Sequence, residues 1–403
     1  MSESQANVMI DELIMTLNQL IEHRDLGSFI KDPKLLIEGL NDLKKMIEMV
    51  NIKMSIVEQI KLLITNKSRN NGYNENHMLH TVITGFPGSG KTSVARILAK
   101  IWISLDMIKM PLKKPDDKNY IETLEKAVIA YDYKINNMNN GIEKQIELMN
   151  KIKTGINNIK NHGNKNYYKL LTQVRDARFN LDKMLTVPII VEKEEELKFT
   201  VASRDTLIAG YLGQSAIKTK AVLEKAAGGV LFIDEAYSLY TSERDAYGEE
   251  CLNVINEFMS LRPDEIIIIF AGYKDLLLNS IFKVQPGLQR RCMWFFDIPK
   301  YSQDALARIF TNQLEHYGWV LDKEMNINHI FKKYNNVLKT PGDTEKLVFQ
   351  SKIAYAEDYF NYTLEDKSHN SMITQRMVLK AIEKMIRNAP NIKEDSIPMH
   401  MYT

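Results

Sequence analysis

Cysteine is scarce: Cys251 and Cys292 are the only two in 403 residues. They are too few for a disulfide framework and too far apart in sequence for a zinc knuckle, and such scarcity fits a reducing compartment. Long apolar runs are missing as well. The longest, IIIIFAG at 266–272, is too short to span a bilayer. MSESQANVMI at the N-terminus has no basic segment leading into an apolar one. The expectation is a soluble, cytoplasmic protein without a membrane partner. Nor is there an excess of either charge: Lys plus Arg is 53 and Asp plus Glu is 51, a formal net charge of +2. A dominant sequence-independent grip on polyphosphate is therefore not implied, which disfavours nucleic acid as a partner. With 44% hydrophobic and 26% charged residues, disordered and fibrous classes are excluded, and the length suits roughly two to three domains.

What is present is strong periodicity. Ile10, Leu13, Leu17, Leu20 and Ile21 have helical spacing within an N-terminal segment, 1–34. A second helix is expected over Leu35–Met49 and a third through Ile56, Ile60 and Leu63, before a loop in NKSRNNGYNEN. Thr81–Thr84 reads as a short buried strand, followed by a glycine-rich turn and a helix with Val94, Ile97, Leu98 and Ile101 on one face. Residues 109–195 change character, being rich in Asn and Lys. The runs Ile121–Met138, Ile142–Met149 and Tyr167–Leu185 step by three and four, as expected for an inserted helical hairpin or coiled coil, whether projecting or packed on the surface. Apolar strands alternating with helices return over 196–299, indicating a parallel sheet covered on both faces. From 300 to 390 the pattern is wholly helical, and 391–403 reads as a tail.

Two motifs carry chemistry. Gly85-Phe86-Pro87-Gly88-Ser89-Gly90-Lys91-Thr92 fits GxxxxGK[ST], in which glycines let backbone N–H groups converge on phosphate oxygens at a helix start. Gly85, Pro87, Gly88, Ser89, Gly90, Lys91, Thr92 and Ser93 are thus candidate ATP-binding residues, with Lys91 reaching the β and γ phosphates and Thr92 a Mg²⁺ ion. Further on, LFIDE ends an apolar strand in two acids. Alone, paired carboxylates at a strand end are better explained as a solvated edge or a helix cap. With the phosphate loop upstream, Asp234 becomes a candidate Mg²⁺ holder and Glu235 the group that deprotonates the attacking water.

Together GFPGSGKT, GYLGQSAIKTKAVLEKAAGGVLFIDEAYSLY and FAGYKD resemble an AAA+ ATPase of the group containing stage V sporulation protein K and CbbX, the red-type rubisco activase. The similarity spans roughly residues 40–108 and 197–320. It implies a P-loop parallel sheet sandwiched by helices, its first part 35–108 and its second 196–299, and an all-α lid over 300–390. It also implies a Mg²⁺-dependent ATPase that forms a homo-hexameric ring and remodels or threads a protein partner. By position, Tyr211-Leu212-Gly213 matches the pore loop, though a packed core tyrosine is the alternative. PGLQRRC matches the arginine-finger segment, with Arg291 favoured, Arg290 second, and an ordinary surface pair the alternative. Ile47–Val50 matches the segment beside adenine, with Glu48 where the family has glycine. Tyr273 stands where a polar residue reads the γ phosphate, and Glu345, with Lys346 beside it, where a lid arginine contacts nucleotide. The altered lid keeps open a nucleotide-regulated scaffold with weak hydrolysis, and basic stretches such as Lys109–Lys118 a nucleic-acid motor.

Overall fold

Hydrophobic spacing at the N-terminus resolves into three helices in the computed structural model, which describes residues 2–22, 30–69, 79–108, 143–161, 197–211, 213–361 and 371–388. Helix α1 (Glu3–Glu22) buries Ile10, Leu13 and Leu17. Helix α2 (Pro33–Lys45) starts on Asp32, whose carboxylate accepts the Leu35 N–H at 3.0 Å, and carries proline in its first turn, where a missing N–H costs nothing. The helix expected over Leu35–Met49 ends early, at Lys45. Glu48 and Met49 adopt left-handed backbone, φ +59° and +51°, which breaks the run before α3 (Val50–Arg69). Conversely, α3 runs a turn into the expected loop, to Arg69. The rest of that loop lies outside the described residues.

Strand β1 (His80–Thr84) is buried throughout and feeds the glycine loop and then α4 (Lys91–Ser104). Residues Met110–Lys198 cluster as a second unit. Its described element is α5 (Glu143–Asn161), in which Met149, Ile152 and Ile156 are buried. The other helical runs expected in the insertion, Ile121–Met138 and Tyr167–Leu185, lie outside the described residues, as does the tail 391–403.

The chain rejoins the first unit at β2 (Phe199–Ala202), followed by the single turn α6 (Arg204–Leu207), α7 (Gln214–Ala226) and β3 (Gly229–Ile233). Next come a 3-10 turn at Ala236–Leu239, α8 (Ala246–Leu261) and β4 (Ile266–Gly272). Three short helices, α9 (Lys274–Asn279), α10 (Ile281–Val284) and α11 (Pro286–Arg291), lead into β5 (Cys292–Asp297). All pairings in this sheet are parallel, in the order β2-β3-β4-β1-β5, with Leu231 opposite Ile268 and Val82 opposite Phe270. The expected parallel sheet is therefore present. Its central strands lack polar alternation because both faces are covered. Cys251 and Cys292 are free and buried, and burial pushes their thiols up to about 11 and about 12, so neither offers a thiolate at neutral pH.

The lid comprises α12 (Gln303–His316), β6 (Val320–Leu321), α13 (Ile327–Lys333), α14 (Pro341–Asn361), β7 (Met372–Ile373) and α15 (Gln375–Asn388). Leu306, Phe310, Phe331, Leu347 and Ile382 share its core. It is helical except for one feature that the sequence reading lacked, the parallel pair β6–β7. Strands of two residues are too short to show a period of two.

A polar hub ties the start of α6 to that of α8. Buried Asp245 accepts from both Arg204 Nη atoms at 2.8 and 3.1 Å, from the Thr241 N–H and hydroxyl at 3.0 Å each, and from the Gly248 N–H at 2.9 Å. Burial alone would raise its pKa, but Arg204 and the N–H donors bring it from 3.8 to about 2. Its stabilising contribution is thus complete above pH 3.8 and lost as pH falls through about 2. Asp245→Ala is expected to cost about 3 kcal/mol in a denaturant titration at pH 7, because it strands Arg204 and removes a helix cap. A loss below 0.5 kcal/mol would show that the hub adds nothing.

Candidate active site

The strand order places the carboxyl ends of β3, β4 and β1 side by side, and the two motifs meet there. The loop after β1 is joined to the end of β4 by the Gly85 N–H, which donates to Gly272 O at 3.2 Å. Gly88 and Gly90 adopt φ +68° and +95°, backbone that side chains rarely accept, so the loop curls into the start of α4. Helix geometry leaves the first N–H groups of α4 without intrahelical partners, and its dipole favours an anion there. Within the loop, buried Ser89 Oγ has no hydrogen-bond partner. An orphaned hydroxyl, left-handed glycines and a helix start form a cradle that fits a polyphosphate.

Lys91 Nζ donates to Gly85 O at 3.1 Å and Phe86 O at 2.9 Å. Burial lowers its pKa, while Asp234 and Glu235 across the strand ends pull it back up, which puts both carboxylates within electrostatic reach of the ammonium. Asp234 Oδ1 accepts the N–H of Glu235 at 3.0 Å. Glu235 is exposed and held at φ +47°, an unfavourable backbone for a non-glycine residue and the kind of strain that collects at functional positions. Tyr273 begins just after β4. Burial raises its hydroxyl pKa and the Glu235 carboxylate adds to the shift, so it faces the same space.

Thr92 is half-buried at the second position of α4 and Ser93 is exposed beside it. Among the described residues, no three His, Cys, Asp or Glu side chains gather into a metal cage. One carboxylate and one hydroxyl suit Mg²⁺, which is commonly held by few protein ligands together with substrate phosphates. On the other side of the loop, a Cβ on Gly90 would lie 3.8 Å from Tyr301 Oη, 3.9 Å from Met49 Cε and 4.0 Å from Met46 Cε. Ile47 and Met49 are buried.

Over residues 183–299 the chain matches the family model described as ATPase family associated with various cellular activities (AAA). It is 43% identical over 127 residues to Protein CfxQ homolog of Guillardia theta, 31% of this chain and 43% of that one. Chromosomal Protein CbxX of Cupriavidus necator is 40% identical over 123 residues, 30% of this chain and 38% of the relative. Protein CbbX of Cereibacter sphaeroides is 40% identical over 124 residues, 30% and 40% of the two chains. Over this stretch the chain is similar to AAA ATPases and to proteins of the CbbX group. It spans about two fifths of the length of these relatives.

The remaining residues singled out from sequence fall in different settings. Tyr211 is 73% exposed, which removes the core-tyrosine alternative; Leu212 lies outside the described residues. Arg291 turns inward, its Nη1 donating to Asn256 Oδ1 at 3.0 Å and Gly287 O at 2.8 Å, whereas Arg290 is exposed. Glu345 is exposed and Lys346 pairs with Asp343 on its own helix at 3.6 Å. Tyr301 escaped the sequence reading altogether, since a lone tyrosine after Pro299 belongs to no motif. Among the described residues, no helix is long and apolar enough to cross a membrane.

Proposed function

We propose that the chain binds Mg²⁺ and ATP in the loop 85–92, hydrolyses the γ phosphate, assembles into a homo-hexameric ring and remodels a protein partner. The observation that carries the chemistry is that Lys91 after β1 lies within electrostatic reach of Asp234 and Glu235 after β3, across the end of β4, beside a loop with left-handed glycines. In this reading Gly85, Pro87, Gly88, Ser89, Gly90 and Ser93 wrap the phosphates, and Lys91 places its ammonium on them. Thr92 and Asp234 hold the Mg²⁺. When bound, Mg²⁺ neutralises charge on the phosphate oxygens. Glu235 accepts a proton from the attacking water, and Tyr273 offers its hydroxyl as a donor near the same space.

Completion of the site by a neighbouring subunit is assigned to the PGLQRRC segment. Because Arg291 is committed to Asn256 and Gly287 within its own chain, exposed Arg290 is the better placed of the pair to reach a neighbour's phosphate. Exposed Tyr211 supplies a flat amphipathic ring suited to gripping a threaded chain.

The test is mass in solution with and without Mg²⁺ and ATP, together with phosphate release, for the wild type and Tyr211→Ala. An ATP-dependent hexamer with turnover in both is expected, with substrate work lost only in the variant. A monomer that binds ATP without turnover sinks the ring motor. It would promote the second reading, a nucleotide-regulated scaffold, which the glutamate at 345, where the resemblance places an arginine, favours.

A further inference from the structure

The lid approaches the phosphate-binding loop through the loop's backbone. The Gly342 N–H, in the first turn of α14, donates to Gly88 O at 3.2 Å, and the Tyr301 hydroxyl donates to Ser89 O at 3.0 Å. These are carbonyls of consecutive loop residues. In a trans peptide the C=O and N–H point to opposite sides. A donor held on Ser89 O therefore fixes the direction of the Gly90 N–H, and one on Gly88 O fixes the Ser89 peptide, whose N–H meets Phe86 O at 3.2 Å. Room is tight enough that a Cβ on Gly88 would stand 3.3 Å from the Gly342 backbone and from Thr340 Oγ1.

A second clasp lies on the Met46–Met49 side. Glu48 Oε1 accepts from Ser302 Oγ at 2.6 Å and Oε2 from the Ser302 N–H at 3.2 Å, one residue after Tyr301. The same side of the lid is held at Glu3, whose carboxylate accepts from Arg308 on α12 at 2.9 and 3.3 Å. Burial and the nearby Glu48 carboxylate both raise the Tyr301 pKa, keeping its hydroxyl a proton donor. Glu48 sits at φ +59°, where glycine is at ease and glutamate is strained. A strained residue whose carboxylate makes two bonds to the lid is placed for that contact. Glu345 and Lys346 are meanwhile both exposed, and Lys346 makes a 3.6 Å surface pair with Asp343 on its own helix.

We propose that Tyr301 and Glu48 are positioning residues of the nucleotide site, coupling lid to nucleotide by holding the loop carbonyls and the Met46–Met49 segment in place of a basic lid side chain on the phosphates. The proposal rests on the Mg²⁺–ATP reading above. Its geometry makes the lid a brace for the N–H groups that would meet phosphate. It also explains how position 345 can carry a glutamate without detaching the lid from the site.

The test is titration of wild type, Tyr301→Phe and Glu48→Gly with Mg²⁺ and ATP by calorimetry, together with steady-state phosphate release and thermal unfolding without nucleotide. Tyr301→Phe keeps the ring and removes one hydrogen bond, so affinity should fall about threefold to tenfold. KM should rise accordingly, with kcat changing less than about twofold. In Glu48→Gly a similar loss of affinity should accompany an unchanged or higher unfolding midpoint, because glycine relieves the left-handed backbone. A merely structural residue would do the reverse, lowering the midpoint and leaving affinity intact. Wild-type affinity in both variants overturns this inference while sparing the ATP reading. Failure of the wild type to bind Mg²⁺ and ATP removes both.

Discussion

Glu235→Gln is expected to lower phosphate release by roughly two to four orders of magnitude while ATP stays bound. The substitution keeps the length of the side chain and its exposed position after β3, and it meets the same left-handed backbone that glutamate already tolerates. What it removes is the ability to take a proton from water. Lys91 and Asp234 remain, so the ammonium and the proposed Mg²⁺ carboxylate still hold the nucleotide. Lys91→Ala is the contrasting case: it deletes the ammonium that reaches the loop carbonyls Gly85 O and Phe86 O and should abolish binding itself. A filter-retention assay of labelled ATP beside phosphate release separates the two. Turnover near wild type in Glu235→Gln would remove Glu235 from the mechanism.

A comparably large effect is expected in stability, from a residue without a catalytic part. His80 is completely buried in β1, and its Nδ1 accepts the Ile268 N–H of β4 at 3.0 Å, a role open only to the neutral ring. Burial lowers its pKa from 6.5 to about 3, with Arg291 adding repulsion. In the unfolded chain the imidazole takes up a proton below pH 6.5, whereas in the folded chain it does so only near 3. Between these values the unfolded state binds more protons, so stability falls as pH falls. The loss should be roughly 2 kcal/mol between pH 7.5 and pH 5, approaching roughly 5 kcal/mol at the acid limit. Denaturant titrations across pH 5–7.5 measure it. In His80→Gln, whose amide oxygen can accept the same N–H, the slope in that window should vanish. An equal slope in both proteins would show that His80 does not control it.

Much of the site was legible from one sequence because its chemistry demands local patterns. A phosphate loop needs glycines at fixed offsets and a helix start, so GFPGSGKT reveals itself without tertiary knowledge. LFIDE was weaker, since two acids after an apolar strand have several explanations, and it gained meaning only from the loop upstream. From sequence, Glu48 showed only that it stands where the resembling family has glycine; its left-handed backbone, φ +59°, came from the fold, and nothing local connects it to Ser302, which lies far along the chain. Sequence favoured Arg291 over Arg290, and it is the hydrogen bond of Arg291 to Asn256 that turns the preference to exposed Arg290. Tyr301 was invisible, because its partner is a carbonyl oxygen, an atom that every residue carries.

Periodicity determined which segments are helices and which are buried strands, and motif spacing determined the phosphate chemistry, because both depend on neighbours within a few residues. Strand order did not follow from either. Insertion of β1 between β4 and β5 is what carries Lys91 to Asp234 and Glu235 and sets Tyr273 beside them. The lid's hold on the loop, Gly342 on Gly88 and Tyr301 on Ser89, was likewise decided by the tertiary fold alone. Both contacts join residues more than two hundred positions apart and end on backbone carbonyls, which leave no mark in a sequence.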